Sequence, residues 1–324
     1  MSSLKKSPDT DLFIEVASVL NATSGIVVTP AFVEKDWYAV QLVQHICSFL
    51  RGDDHDFTLI FTGGTSLSKA HGAIERFSED LDFLCVKSDR TKGGGSRAER
   101  RAFRTAFANF INNDDRFSVD VEATRTSSRN NGRFFRCIVS YPRTLDHPAV
   151  RDELRLDVTF EDTRSPYNIK SIRSFVATVA EQEPEVDVPC VSPLDIAADK
   201  LSALCWRVLS HGYGALPEDT TFIRHLHDLA ALKHILEADV VKFRNSADAA
   251  FLADSTSKSA RRRVDTDLPT EKRLSQMLAM LTQPAYASAY ERYVTSMSYA
   301  PPERSLGFQA AVKCLKRIVD LIST

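Results

Sequence analysis

The stretch from Phe57 to Phe83 constrains this chain more than any other, because its hydrophobic period changes twice there. Phe57 to Phe61 is a short apolar run that stops at Gly63-Gly64, the pattern of a buried strand entering a tight turn. Residues 65–74 return to helical spacing, and Leu81 to Val86 reads as a second strand. The turn itself is Phe61-Thr62-Gly63-Gly64-Thr65-Ser66-Leu67-Ser68-Lys69. Glycines let a phosphate come close to the backbone. The helix start that follows offers free N–H groups, and hydroxyls in its first turn add donors. No Gly-Lys-Ser/Thr follows at the Walker spacing, so this is not a P-loop of that kind. A Gly-Gly turn alone also serves simply to cap a helix.

The sequence Arg76-Phe77-Ser78-Glu79-Asp80-Leu81-Asp82-Phe83 follows closely. Residues two apart on a strand share a face, so Asp80 and Asp82 point one way while Leu81 and Phe83 point to the core. Two carboxylates on one face repel unless a cation lies between them, and hard oxygen donors suit Mg²⁺. A lone Asp-x-Asp can be a solvated strand edge; close behind a Gly-Gly-Thr-Ser turn it is far more specific. Glu153-Leu154-Arg155-Leu156-Asp157-Val158-Thr159-Phe160 repeats the alternation, with Asp157 on the polar face. Beside the Asp80 strand it would complete a three-carboxylate site, as metal ligand and general base. Asp120 and Glu122, in a strand expected over 117–123, form the rival pair. The Asp157 strand is favoured because it is more apolar and so more central.

Elsewhere, Phe13, Val16, Ala17 and Leu20, then Val33, Trp37, Val40, Val43, Cys47 and Leu50, mark two helices over residues 12–50. Residues 88–101 form a polar, Gly-rich loop, a helix follows to about 112, and strands are expected at 134–141 and 153–160. That gives about five strands mixed with helices over residues 1–190. After Pro193 the chain is helical apart from a polar, basic loop over 253–270. The reading is therefore α+β: a mixed sheet with flanking helices over 1–190, then a mainly helical region over 191–324.

Ser192-Pro193-Leu194-Asp195 is a helix start. On that helix Lys200 and Arg207 lie two turns apart on one face, a pair of cations suited to a triphosphate; a solvated surface with ion-pair partners reads equally well. Arg224 and Asp228 are spaced for an intrahelical pair, and His225 and His227 do not face one another.

Taken in order, Gly63 to Lys69, Arg76 to Phe83, Asp199-Lys200-Leu201 to Arg207, and Arg224 to Leu229 resemble the four motifs of the AbiEii/AbiGii nucleotidyltransferase toxin family. Glu34-Lys35-Asp36-Trp37-Tyr38 resembles that family's N-terminal helix. The likeness spans roughly residues 30–240, and its order is more specific than any one motif. It implies a DNA-polymerase-beta-like nucleotidyltransferase fold and a toxin of a toxin–antitoxin or abortive-infection system, with a cognate antitoxin encoded nearby. It also implies transfer of a nucleoside monophosphate to RNA, the tRNA 3′ end above all, blocking translation. By position it implies Asp80 and Asp82 as metal ligands for Mg²⁺ or Mn²⁺, and Gly63, Gly64, Thr65, Ser66 and Lys69 around the phosphates. Lys200 and Arg207 would contact the nucleotide, and Asp228 would be an essential carboxylate. His225 stands where the motif often has an additional Asp. Readings from other classes are transfer to a protein or small-molecule hydroxyl, and a non-catalytic nucleotide-binding module.

Net charge is −2, so any attraction to nucleic acid must be local. Arg90, Lys92, Arg97, Arg100, Arg101 and Arg104 face a single acid, Glu99, and Arg125, Arg129, Arg133 and Arg136 follow. Arg97, Arg100, Arg101, Arg104, Arg129 and Arg133 are the candidates for RNA contact. Arg261-Arg262-Arg263 is a third cluster. The six cysteines form no CxxC pair, and several lie in apolar runs, which suits buried thiols in a reducing compartment. No apolar run is long enough to cross a bilayer, so a cytoplasmic location without membrane contact is expected.

Overall fold

A computed structural model describes residues 9–23, 25–49, 56–87, 94–210, 221–256 and 268–323. It divides into two compact units: Met1–Gly72 with Phe77–Val191 and Tyr299–Pro301, and Ala73–Arg76 with Ser192–Ser298 and Pro302–Thr324. Arg90, Lys92 and Arg261-Arg262-Arg263 lie outside the described residues.

In the first unit the elements run α1 (Thr10–Thr23), α2 (Pro30–Phe49), β1 (Phe57–Thr62), α3 (Gly63–Lys69), β2 (Asp80–Lys87), α4 (Arg97–Ile111), β3 (Ser118–Val119) and α5 (Val121–Thr126). They continue with β4 (Phe134–Ser140), β5 (Leu154–Thr159), β6 (Asn168–Ile172), α6 (Phe175–Val179) and β7 (Val186–Cys190). The strands form one mixed sheet in the order β3-β4-β5-β2-β1-β7-β6. β2 runs antiparallel to β1 and parallel to β5, so the two acidic strands are neighbours at the sheet centre.

Alternation decides which face is buried. Leu81, Phe83 and Cys85 of β2, Leu154, Leu156 and Val158 of β5, and Phe135, Cys137 and Val139 of β4 are all inaccessible or nearly so. The helices supply the other half of this core. Phe103 and Phe107 of α4 stack on each other, and Phe103 meets Phe57 and Phe160 edge-on. Phe107 meets Phe135 in the same way. Aromatic contacts of this geometry add to the transfer free energy of the rings. The opposite strand face carries Asp80, Asp82, Arg155, Asp157 and Arg136, all half-buried.

The expected strand over 117–123 is only Ser118–Val119. Asp120 stops it by capping α5, accepting from the backbone N–H groups of Glu122 and Ala123 at 2.9 Å each. An N-capping aspartate satisfies donors that the first helical turn leaves open, which outweighs a strand pattern of one repeat. β6 and β7 were not expected. β7 carries Asp187 and Pro189 between apolar residues, and β6 is largely exposed, so neither has a clean apolar run.

The second unit is helical: α7 (Pro193–Leu209), α8 (Arg224–Ala238), α9 (Val240–Thr256), α10 (Thr270–Leu281), α11 (Pro284–Met297) and α12 (Phe308–Ser323). α7 starts as its sequence dictates, with Ser192 capping Leu194 N–H and Pro193 in the first turn. α9 runs to Thr256, into the stretch expected as loop; residues 257–267 lie outside the described residues. No described helix is long and apolar enough to cross a membrane.

Candidate active site

Strand register builds a row of polar side chains across the centre of the first unit's sheet. Thr62 pairs with Asp82, Asp82 with Asp157, and Asp157 with Arg136, on four successive strands. Asp82 and Asp157, far apart in sequence, thus become lateral neighbours on one face. Arg136 grips Asp157 through two parallel hydrogen bonds of 2.6 Å, from Nε and Nη2. Hydrogen bonding to Asp157 holds the Arg136 guanidinium above its ordinary range against partial burial, with the charges of Asp157, Asp80 and Asp82 in support.

Gly63 closes the row from the side. Its φ is +75°, a conformation that favours glycine, and a Cβ there would lie 2.1 Å from Asp82 Oδ2 and 2.9 Å from Asp82 Cβ. Gly63 is required both for the backbone turn and for the space that the Asp82 carboxylate occupies.

Three buried charges of α2, Glu34, Lys35 and Asp36, anchor the loops around this face. Lys35 Nζ donates to Glu79 Oε1 at 2.7 Å and to the Arg151 carbonyl at 2.8 Å. Glu79 Oε1 also accepts from Arg151 N–H at 2.7 Å, and Arg151 Nη1 reaches Asp80 Oδ1 at 3.1 Å. Burial lowers the Lys35 pKa, against the pull of Glu79. Asp36 accepts from the N–H of Phe175 at 2.8 Å and pairs with Lys69, whose ammonium also lies 3.8 Å above the Phe175 ring. Burial raises the Asp36 carboxyl, and Lys69 opposes the shift. Glu34 accepts from the backbone of Thr144 and Leu145. One helical triplet therefore fixes the residue before Asp80, the end of α3 and the 144–145 loop. Sequence reasoning gave these residues no role beyond a resemblance. The available signal was three consecutive charges within an otherwise apolar helical pattern.

The phosphate-loop residues divide. Gly63 and Gly64 sit at the start of α3, against β2. Thr65 turns inward, its hydroxyl donating to the Asp80 carbonyl at 2.6 Å, and so ties α3 to the start of β2. Ser66 is fully buried, and Lys69 is committed to Asp36. Thr65 and Lys69 thus tie α3 to the start of β2 and to α2.

Lys200 and Asp228 belong to the second unit. Asp228 is wholly buried and accepts from Arg76 Nε and Nη2 at 2.6 and 2.7 Å. Lys200 Nζ lies 2.7 Å from Asp228 Oδ2, the oxygen that Arg76 Nη2 also reaches. Burial alone would raise the Asp228 carboxyl, but the Arg76 and Lys200 charges outweigh it and hold the group well below the usual carboxylate range. Burial, with the charges of Lys200 and Arg224 beside it, pushes the His225 pKa well below its ordinary value. Arg207 lies over the ring of its neighbour Trp206. Lys200 neutralises a buried aspartate that joins α7, α8 and Arg76.

Among the RNA candidates, Arg100 and Arg104 are buried. Arg100 donates to the carbonyls of Gly94, Gly95 and Asn131, and Arg104 donates to Ser128 Oγ at 3.1 Å. Arg97, Arg101, Arg129 and Arg133 are exposed.

The chain matches, over residues 48–314, the family described as nucleotidyl transferase AbiEii toxin, type IV toxin–antitoxin system. The chain belongs to the AbiEii nucleotidyltransferase toxin family. It is thus a nucleotidyltransferase toxin of the type IV class, which implies a nucleoside triphosphate substrate and an antitoxin partner. Its fold is similar to that of MenT4, a nucleotidyltransferase toxin from Mycobacterium tuberculosis. The TM-score is 0.53 at 17% identity, covering 97% of this chain and 99% of that one. A putative nucleotidyltransferase from H. pylori aligns with a TM-score of 0.44 at 15% identity, over 89% and 95% of the two chains. A comparison with curated proteins gave no match.

For an AbiEii enzyme the donor chemistry of the β2–β5 face fits a hard divalent cation, since Asp80, Asp82 and Asp157 all offer carboxylate oxygens. Among the described residues no three such side chains are gathered into a ready cluster. Arg151 draws on Asp80 and Arg136 holds Asp157, so the counter-charge on this face is supplied by arginine. Asp120 caps α5 and Glu122 pairs with the exposed Arg125, which leaves that rival pair outside the row.

Proposed function

We propose that this toxin transfers a nucleoside monophosphate from a nucleoside triphosphate to an RNA hydroxyl, the tRNA 3′ end foremost, using the Asp80, Asp82 and Asp157 face. The observation that carries this reading is the Thr62–Asp82–Asp157–Arg136 row, with Gly63 packed against Asp82. A Mg²⁺ or Mn²⁺ ion held by Asp80, Asp82 and Asp157 would neutralise triphosphate charge and polarise the α-phosphorus. The chain's own residues position the reactants and manage the proton. Gly63 keeps room beside the start of α3 for the Asp82 carboxylate. The acceptor hydroxyl oxygen bonds to the α-phosphorus as the bond to pyrophosphate breaks, and the hydroxyl proton passes to an Asp157 carboxylate oxygen. That oxygen is a good base only when Arg136 lets go of it, so Arg136 sets when Asp157 can act. Arg151, once released from Asp80, would meet the departing pyrophosphate charge. Lys200 and Asp228 support this chemistry through the stability of the second unit.

The test is label transfer from each α-phosphate-radiolabelled nucleoside triphosphate to total bacterial tRNA with Mg²⁺. Label on RNA from the wild type, reduced at least about a hundredfold in Asp157→Asn, is expected. Label appearing on protein instead would move the acceptor to a side-chain hydroxyl, and equal transfer by Asp157→Asn would remove Asp157 from the mechanism.

A further inference from the structure

A second constellation in the first unit takes no part in the carboxylate face. α4 and the segment from α5 to Gly132 form the walls of an open groove of about 1360 Å³. Five of its fifteen lining residues are arginines: Arg97, Arg101, Arg104, Arg125 and Arg129. None is acidic and none is aromatic. On α4, Arg97, Arg101, Thr105 and Asn109 recur every four residues, one helical stripe of donors. The facing wall is held rigidly. Arg129 exchanges backbone hydrogen bonds of 2.9 and 3.2 Å with Phe134. Asn130, Asn131 and Gly132 all have left-handed φ, of 51°, 57° and 81°.

The groove concentrates cations, and no acidic residue is part of its lining. Arg104 is 6% exposed, gives one hydrogen bond to Ser128, and keeps its Nε buried without a partner. Burial lowers its pKa, and repulsion from Arg101 and Arg125 lowers it further. Glu122 pairs with Arg125 and Glu99 of α4 pairs with Lys87, both from outside the lining. In a chain of net charge −2, so one-sided a lining calls for a polyanion. The apolar lining side chains are alanines alone, so the groove lacks the large anchors that a protein partner would bury. The absence of aromatic side chains removes base stacking, which leaves phosphate contact.

We propose that this groove is where the phosphate backbone of the acceptor RNA docks, through Arg97, Arg101 and Arg129. The proposal rests on the reading above that the acceptor is RNA. It assigns acceptor affinity to a surface separate from the carboxylates and connected to them through β4. That strand begins five residues after Arg129 and carries Arg136. Contact is with backbone and therefore tolerant of sequence.

Fluorescence anisotropy of a fluorescein-labelled RNA hairpin with the full-length chain, over a range of salt concentrations, tests it. The Arg97→Ala/Arg101→Ala/Arg129→Ala variant removes three exposed cations and is expected to keep its thermal transition. Its affinity should fall at least about tenfold, and its log–log salt slope should drop by roughly 3, since each lost phosphate contact reduces the slope by about 1. Binding of the nucleoside triphosphate alone should not change. RNA binding by the wild type with an unchanged slope in the variant would overturn the groove assignment and leave the RNA acceptor standing. A wild type that binds no RNA would overturn both.

Discussion

Replacing Gly63 with alanine isolates the contact on which the carboxylate row depends. The substitution has two costs. The first is conformational: at φ +75° an L side chain is disfavoured by about 1–2 kcal/mol. The second is steric. The new Cβ would sit 2.1 Å from Asp82 Oδ2, and because it also meets Asp82 Cβ at 2.9 Å, rotating the carboxylate does not clear the clash. The Asp82 side chain must retreat by about 1 Å, a displacement that costs on the order of a hundredfold in a positioned reaction. Gly72 supplies the control within the same unit. Its φ is +58°, and an added Cβ meets nothing within 4 Å, so Gly72→Ala carries the first cost without the second. Both variants should melt roughly 2–8 °C lower, from the conformational cost and the usual slope for a unit of this size. Nucleotidyl transfer measured well below both melting temperatures should fall about a hundredfold in Gly63→Ala and change less than about threefold in Gly72→Ala. Equal activity in the two variants would refute the claim that Gly63 exists to make room for Asp82.

Asp228→Ala leaves Arg76 and Lys200 buried without their shared anion, a change that costs about 3–5 kcal/mol; calorimetry should show a transition at least about 6 °C lower. Because the folded Asp228 carboxyl lies well below its ordinary value, its stabilising contribution is present above pH of about 4 and is lost as pH falls toward the folded value. Asp228→Asn should flatten the acid limb of a stability profile, and an unchanged limb would contradict the assignment. Lys35→Met removes the ammonium that joins Glu79 to the Arg151 carbonyl. It should lower both melting temperature and kcat, and full activity would show that Asp80 does not depend on the α2 anchor.

How much of this was legible in the sequence depends on how local each signal is. The strand–Gly-Gly–helix–strand passage and the pairing of Asp80 with Asp82 follow from periods of two and 3.6, so the centre of the fold could be read directly. The position of Asp157 could be argued only from the apolarity of its strand, because adjacency of β2 and β5 is a long-range fact. The 117–123 stretch misled because a capping aspartate looks the same as a strand's polar residue until the helix is seen. Thr65, Ser66, Lys69 and Lys200 were expected near phosphate from the Gly-Gly turn, a shared helix face and the family resemblance. A hydroxyl or ammonium serves equally well inside, and their partners (Asp80 carbonyl, Asp36, Asp228) come from distant segments. Arg100 and Arg104 belong to the same class, since counting arginines does not separate a wall's surface from its supports.

The most direct test of the central claim is simultaneous measurement of pyrophosphate release and RNA labelling by wild type and Asp82→Asn. That variant keeps the side-chain shape beside Gly63 and removes one carboxylate charge from the row. Equimolar pyrophosphate and label from the wild type, with both lost together in a variant of unchanged melting temperature, is the predicted result. Undiminished release and labelling by Asp82→Asn would contradict the assignment of nucleotidyl transfer to this face of the sheet.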